Sequence, residues 1–238
     1  MTFKTKLCCL AALAVVLTVS PAHALSLGRL KPEKQKWYVG LSADRLDADA
    51  RDAKATSDLY TVQRTGILLD AGYGLMDWLS AYLTVGTSAA ETRDEADASG
   101  PSIGKIDMGS SFAWGMGANW GFDVSSFRIG GDIRFLLAPG HEFNSTGLIA
   151  NGTSELNQFH SAFTLSRPFH YWAPYLGIRY TTTTVDVSIA GTKAQLELED
   201  NVGAALGAEI MPKSRWGAQV ELRFIGETSF TLGSTWKF

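Results

Sequence analysis

Residues 109–122 alternate without a break. Phe112, Trp114, Met116, Ala118 and Trp120 share one parity, and Ser111, Ala113, Gly115, Gly117, Asn119 and Gly121 share the other. Successive side chains of a β-strand point to opposite faces, so this period of two predicts a strand with two unlike faces. The pattern recurs. Phe127, Ile129, Ile133, Phe135 and Leu137 oppose Arg128, Asp132 and Arg134. Val202, Ala204, Leu206, Ala208 and Ile210 oppose Asn201, Gly203, Gly207 and Glu209, and Ala218, Val220, Leu222 and Phe224 oppose Gln219, Glu221 and Arg223. Ten such segments run roughly over 36–46, 59–75, 78–90, 109–122, 127–137, 154–167, 173–187, 198–211, 216–225 and 228–238.

Alternation alone also fits a soluble barrel or sandwich with its apolar face inward. Two features decide against that. The polar parity is crowded with glycine, including Gly40, Gly66, Gly72, Gly74, Gly115, Gly117, Gly130, Gly203 and Gly207. Glycine weakens strands and serves no purpose on a solvated outer face, whereas a narrow lumen needs small side chains. The opposite parity carries large apolar rings, a surface that lipid accepts and water does not. Trp37, Trp78, Trp120, Trp172, Trp216 and Trp236 stand beside the short connections, and Trp114 alone of the seven lies mid-segment. Amphipathic rings gathered at one end of many strands mark a membrane–water boundary.

Connection lengths agree. Starting from Trp37, residues 47–58, 91–108, 138–153 and 188–197 read as long loops, and 76–77, 123–126, 168–172 and 212–215 as short turns. Outer-membrane barrels have short periplasmic turns and longer outer loops, so an even strand number returns both termini to the periplasm. Gly226-Glu227 is an outer connection yet short. Ser161 sits on the apolar parity, and Val185 and Val187 sit on the polar one, which places them above the lipid or after a bulge.

The first residues read as an export signal. Lys4 and Lys6 precede the apolar run Leu7–Val19, Pro21 breaks it, and Ala22-His23-Ala24 forms a cleavage site. The division expected is a cleaved signal over 1–24, a periplasmic tail over 25–35 and a barrel over 36–238. Cleavage removes both cysteines, Cys8 and Cys9, so the mature chain offers no disulfide and no thiolate. It also removes two of the 21 basic residues and none of the 24 acids, giving a formal charge of −5. That balance argues against a nucleic-acid binder.

These features together predict an all-β, antiparallel up-and-down transmembrane β-barrel of about ten strands, eight being the alternative count. Its C-terminus ends on Phe238, with Phe230, Leu232 and Trp236 on the same parity and Ser234 departing from it. In this the chain resembles the small outer-membrane β-barrel proteins of Gram-negative bacteria, the opacity-like group, over nearly its whole mature length. The resemblance implies that these four residues form the C-terminal signal read by the barrel assembly machinery. It also implies outer-membrane lipids and lipopolysaccharide as surroundings, and no cofactor.

The inward charges form the candidate site. Asp132, Arg179 and Glu221 fall at similar predicted depth, with Arg64, Asp70, Arg128, Arg134, Glu209, Arg223 and Lys237 above or below. A barrel of about ten strands leaves little interior room, so such charges pair or stay wet. One reading is an ion-pair network that plugs the lumen of a surface or structural protein. The other is a narrow water-filled pore for small solutes or ions. The acidic loops 47–58 and 91–108 match no calcium-loop motif and read as solvated. His141, His160 and His170 are the mature histidines; with no G-x-S-x-G elbow present, an outer-face hydrolase is a distant third and the chain reads as no enzyme.

Overall fold

The computed structural model describes residues 33–52, 59–94, 106–144, 151–189, 192–198, 201–210, 214–225 and 228–238. The segment read as a signal, and most of the tail after it, lie outside the described residues. Eleven strands follow in chain order: β1 Trp37–Asp52, β2 Leu59–Met76, β3 Leu79–Asp94, β4 Ile106–Val124, β5 Phe127–Asn144, β6 Asn151–Ser166, β7 Trp172–Ile189, β8 Thr192–Leu198, β9 Val202–Ile210, β10 Trp216–Phe224 and β11 Thr228–Lys237. Each of the ten alternating segments is a strand. All pairings are antiparallel.

The sheet closes twice, at different heights. Toward the short turns the ring is β1 to β7, then β9, β10 and β11, closed by β11 on β1. These are ten strands. Toward the long loops, β8 pairs with β7 over Thr184–Ile189 and with Ala50–Asp52 of β1, so the wall there is β1 to β8. These are eight.

β8 corrects the reading of 188–197 as a loop. The β10–β11 hairpin ends at mid-height, where Thr228 pairs with Asp47, and above it the edges of β1 and β7 would have no partner. An unpaired edge leaves a row of unsatisfied N–H and C=O groups, and β8 supplies the missing strand. The same geometry accounts for the short Gly226-Glu227 connection, which belongs to that truncated hairpin. The other long loops are partly strand as well, since β1 runs to Asp52, β3 to Asp94 and β5 to Asn144. Strands of 16–19 residues in β1 to β7 far exceed the roughly 9–11 that cross a bilayer. The 9 to 10 residues of β9, β10 and β11 just suffice.

The facing of the side chains changes along the long strands. Near the short turns the outward residues are apolar, as with Leu69 and Ile67 on β2, Leu83 and Val85 on β3, and Leu176 and Ile178 on β7. Leu83, Ile178 and Val202 are each 62% exposed. Further along, the same outward parity turns polar: Thr65 and Gln63 on β2, Asn157 on β6, Thr182 and Thr184 on β7. The inward parity turns the opposite way. Polar and charged residues fill the lower lumen, and Leu46, Val62, Leu136, Ala138, Leu156 and Val185 are buried in the upper one. Ala138, Leu156 and Val185 are register partners across β5, β6 and β7. One barrel thus has a lipid-facing, polar-cored lower part and a water-facing, apolar-cored upper part.

That inversion accounts for Val185. The β6–β7 register runs without a shift, so no bulge re-aims it; the valine keeps its inward parity and joins the upper apolar core.

The lumen as candidate functional site

All ten charges assigned to the lumen lie on the inward parity; Lys237 is at the short-turn end, its side chain 14% exposed and its Nζ 2.7 Å from Glu33 Oε1. Asp70, Asp132, Arg134 and Glu221 are at most 1% exposed, and Arg64, Arg179, Glu209 and Arg223 at most 5%. Arg128 lies nearer the short-turn end, its side chain 14% exposed and its Nε 2.9 Å from Asp123 Oδ1.

Two clasps of the same design organise the network. In the first, Tyr82 on β3 lies opposite Gly117 on β4, and a Cβ at Gly117 would overlap the tyrosine ring. The ring therefore crosses β4 and reaches β5. Its hydroxyl donates to Asp132 Oδ2 at 2.8 Å and accepts from Arg134 Nε at 2.9 Å. The Arg134 guanidinium also stands 4.9 Å from the ring centroid, a cation–π distance. In the second clasp, Tyr175 on β7 crosses Gly207 on β9 to reach β10. It donates to Glu221 Oε2 at 2.6 Å, and Arg223 Nε donates to the other oxygen, Oε1, at 2.7 Å. Each clasp joins an inward tyrosine, a glycine on the intervening strand and an acid-x-Arg pair on the next. A neutral version at the short-turn end has Tyr38 crossing Gly72, with Asn119 Nδ2 donating to its hydroxyl at 3.1 Å.

Further polar contacts fill the lumen around the clasps. Arg134 is 3.8 Å from Asp70, which accepts from Thr84. Arg179 donates to Thr181 Oγ1 at 2.7 Å, and that hydroxyl lies 3.0 Å from His160 Nδ1. Arg64 donates to Gln158 Oε1 at 3.0 Å, and Gln158 Nε2 donates to Thr183 at 2.8 Å. Arg128 and Glu209 approach to 3.9 Å beside a polar recess of ≈ 20 Å³, room for about one water. Charges removed from water are stable when paired and hydrogen-bonded; Arg128, Arg134 and Arg223 stand beside acids, and Arg64 and Arg179 donate to neutral side chains.

The expected charges are therefore in the lumen, but the residues that connect them are tyrosines, threonines and glutamines that charge counting misses. The signal for the tyrosines is legible in hindsight: an inward tyrosine, a glycine opposite it, and an acid-x-Arg pair beyond. Of the histidines, His160 is in the lumen core, His170 is exposed beside Tyr171 at a short turn, and His141 pairs with Ser154 near the outer end of β5. Of the terminal residues, Trp236 and Phe238 face outward and are at least half exposed; Phe230 and Leu232 share their parity and are half-buried.

A closed antiparallel wall, an apolar belt facing out and an aromatic edge define a transmembrane β-barrel of the outer-membrane type. Three rings of that edge pack in pairs: Trp37 on Tyr73, Trp78 on Phe122, and Trp172 on Phe169.

No family model and no curated protein matches the chain. Among solved structures it is similar to the outer membrane protease OmpT from Escherichia coli, at 10% identity and TM-score 0.48 over 91% of this chain and 99% of that one. It is also similar to the translocator domain of the autotransporter NalP from Neisseria meningitidis, at 10% identity and TM-score 0.49 over 99% and 95%. For the outer membrane protein OprG from Pseudomonas aeruginosa the values are 10% and 0.45 over 89% and 99%. At these scores the assignment rests on the belt and the closed wall, not on the neighbours.

Proposed function

We propose that this chain is an integral outer-membrane protein with a surface or structural role, displaying its upper barrel and loops outside while its lumen stays shut. The observation that carries the reading is the full burial of Asp132, Arg134, His160 and Glu221 at mid-lumen, each at 0–1% exposure. Above them the apolar core around Leu136, Leu156 and Val185 forms a second barrier, because ions do not enter a dry apolar constriction. Short turns and both termini face the periplasm in this reading. Outer-membrane lipids and lipopolysaccharide surround the belt, and the C-terminal Phe230, Leu232, Trp236 and Phe238 engage the assembly machinery.

Planar-bilayer recording tests it. The purified barrel is expected to give no steady conductance steps, and Arg179→Ala to introduce them once Leu156→Ser opens the apolar barrier as well. Steady steps from the unmodified protein would favour the solute pore instead. Loop deletions that alter adhesion without altering conductance would support the surface role.

A further inference from the structure

The lower ring closes where its first strand, β1, meets its last, β11, and no connecting segment joins that pair. Their ladder runs from Tyr38 to Asp47, whereas β1 pairs with β2 from Trp37 to Arg51. Just before β1, residues 33–36 make a tight turn, with Lys36 N–H donating to Glu33 O at 3.1 Å. Gln35 in this turn holds a φ of 60°, which glycine adopts freely and β-branched residues avoid. Its N–H donates to Gly74 O at 2.8 Å, and Gly74 N–H donates to Lys36 O at 2.9 Å. Gly74 shares the inward parity of Asp70 and Gly72, and a Cβ there would overlap the Glu33 carbonyl. The turn therefore lies on the lumen face of β2. It also reaches β11, where Lys237 Nζ donates to Glu33 Oε1 at 2.7 Å. Lys34 N–H points to Asp77 Oδ1, at 3.4 Å, in the turn after β2.

We infer that residues 33–36 are a strap that locks the seam of the finished barrel, tying β11 to β2 across the inner side of β1. Two features argue for a lock. Gly74 opens the wall at the one place where the Glu33 backbone needs room, as Gly117 and Gly207 do for the tyrosines. Lys237 is the last residue of β11, so its bond to Glu33 forms only once that strand has docked on β1. The ion pair alone contributes little, because the Glu33 side chain is half exposed. The backbone hydrogen bonds and the fit over Gly74 carry the strap. Contacts made only in the finished barrel slow its unfolding and leave its folding rate unchanged. The strap acts in the same way whichever compartment this end faces and whether or not the lumen conducts.

The test joins a cross-link to an unfolding rate. A water-soluble carbodiimide couples a carboxylate to an amine only where the two touch, and peptide mass spectrometry locates the amide. In the folded barrel in mild detergent, wild type is expected to give the Glu33–Lys237 amide. Gly74→Val is expected to lose it, falling to the background of Glu33→Gln. Gly40→Ala, an inward glycine whose added Cβ meets its nearest neighbours at 3.7 Å, is expected to keep it. Heat-modifiable gel migration verifies folding, and Gly74→Ala reads the same overlap with a smaller change. Gln35 lies outside the wall, so its variants leave the strands intact. In urea jumps Gln35→Val is expected to unfold about tenfold faster, since a β-branched residue resists positive φ, and to refold at the wild-type rate. Gln35→Gly is expected to unfold no faster than wild type. No amide in wild type, or an equal yield from Gly74→Val, would overturn the placement of the strap. Unfolding of Gln35→Val at the wild-type rate would overturn its role as a lock.

Discussion

The Tyr82 hydroxyl lies 2.8 Å from Asp132 Oδ2, having crossed the strand between them over Gly117. Removing that hydroxyl leaves a buried carboxylate short of a donor, which costs about 1–3 kcal/mol. Tyr82→Phe is therefore expected to lower stability by that amount in urea titrations of the detergent-folded barrel. Gly117→Ala, which places a methyl against the ring, is expected to cost more than Tyr82→Phe. Tyr82→Ala combined with Gly117→Ala is expected to recover part of the loss. Additive losses would mean that the ring and the glycine are not coupled.

Breaking an acid-x-Arg pair strands a buried charge. Arg223→Met is expected to destabilise by about 3–5 kcal/mol, and the double variant Arg223→Met/Glu221→Gln by less, because neutralising both partners removes the uncompensated ion. A thermal or urea series over the two single variants and the double one reads the difference directly. A double variant worse than Arg223→Met would show that the pair does not act as a unit.

The belt and the upper wall respond differently to charge. Arginine at Ile133 or Leu206, both outward in the lower part, is expected to cost about 2–4 kcal/mol near the bilayer midplane. Lysine at Thr65 or Thr184, outward in the upper part, is expected to fall within about 0.5 kcal/mol of wild type. Folding yields on heat-modifiable gels rank the four variants.

The upper core behaves as the interior of a soluble protein. Leu136 is fully buried there, and Leu136→Ala is expected to cost about 2–5 kcal/mol through lost burial and the cavity left behind. Asp at Val185 is expected to cost at least as much, since no partner is arranged for it in the apolar row. Proteolysis of the folded protein should then start in the upper strands. Unchanged protease resistance in both variants would argue against a packed upper core.

Much of this was legible from alternation. The ten barrel strands, the outward facing of Ile133 and Leu206, and the inward charges all follow from a period of two and from glycine on the polar parity. What alternation hid was its own reversal. Of the two placements the sequence allows Val185, above the lipid or after a bulge, the first holds, since the wall passes from lipid to water partway up. β8 was hidden for a related reason. Ala194, Leu196 and Leu198 do alternate with Lys193, Gln195 and Glu197, but only seven residues long, and only the early end of the β10–β11 hairpin creates a need for that strand. The tyrosine clasps lie beyond alternation because each depends on the register of three strands, which one strand's pattern does not contain.

β2 passes from lipid to water between Ile67 and Thr65 while its inward residues stay sealed. A nitroxide scan along 63–70, using single cysteines in a chain with Cys8 and Cys9 removed, measures this directly in reconstituted bilayers. Labels at 67 and 69 should be reached by oxygen, and labels at 63 and 65 by an aqueous nickel chelate. Labels at 64, 68 and 70 should be shielded from both reagents. Nickel access at 67 and 69 equal to that at 63 would mean that no lipid–water boundary crosses β2 there.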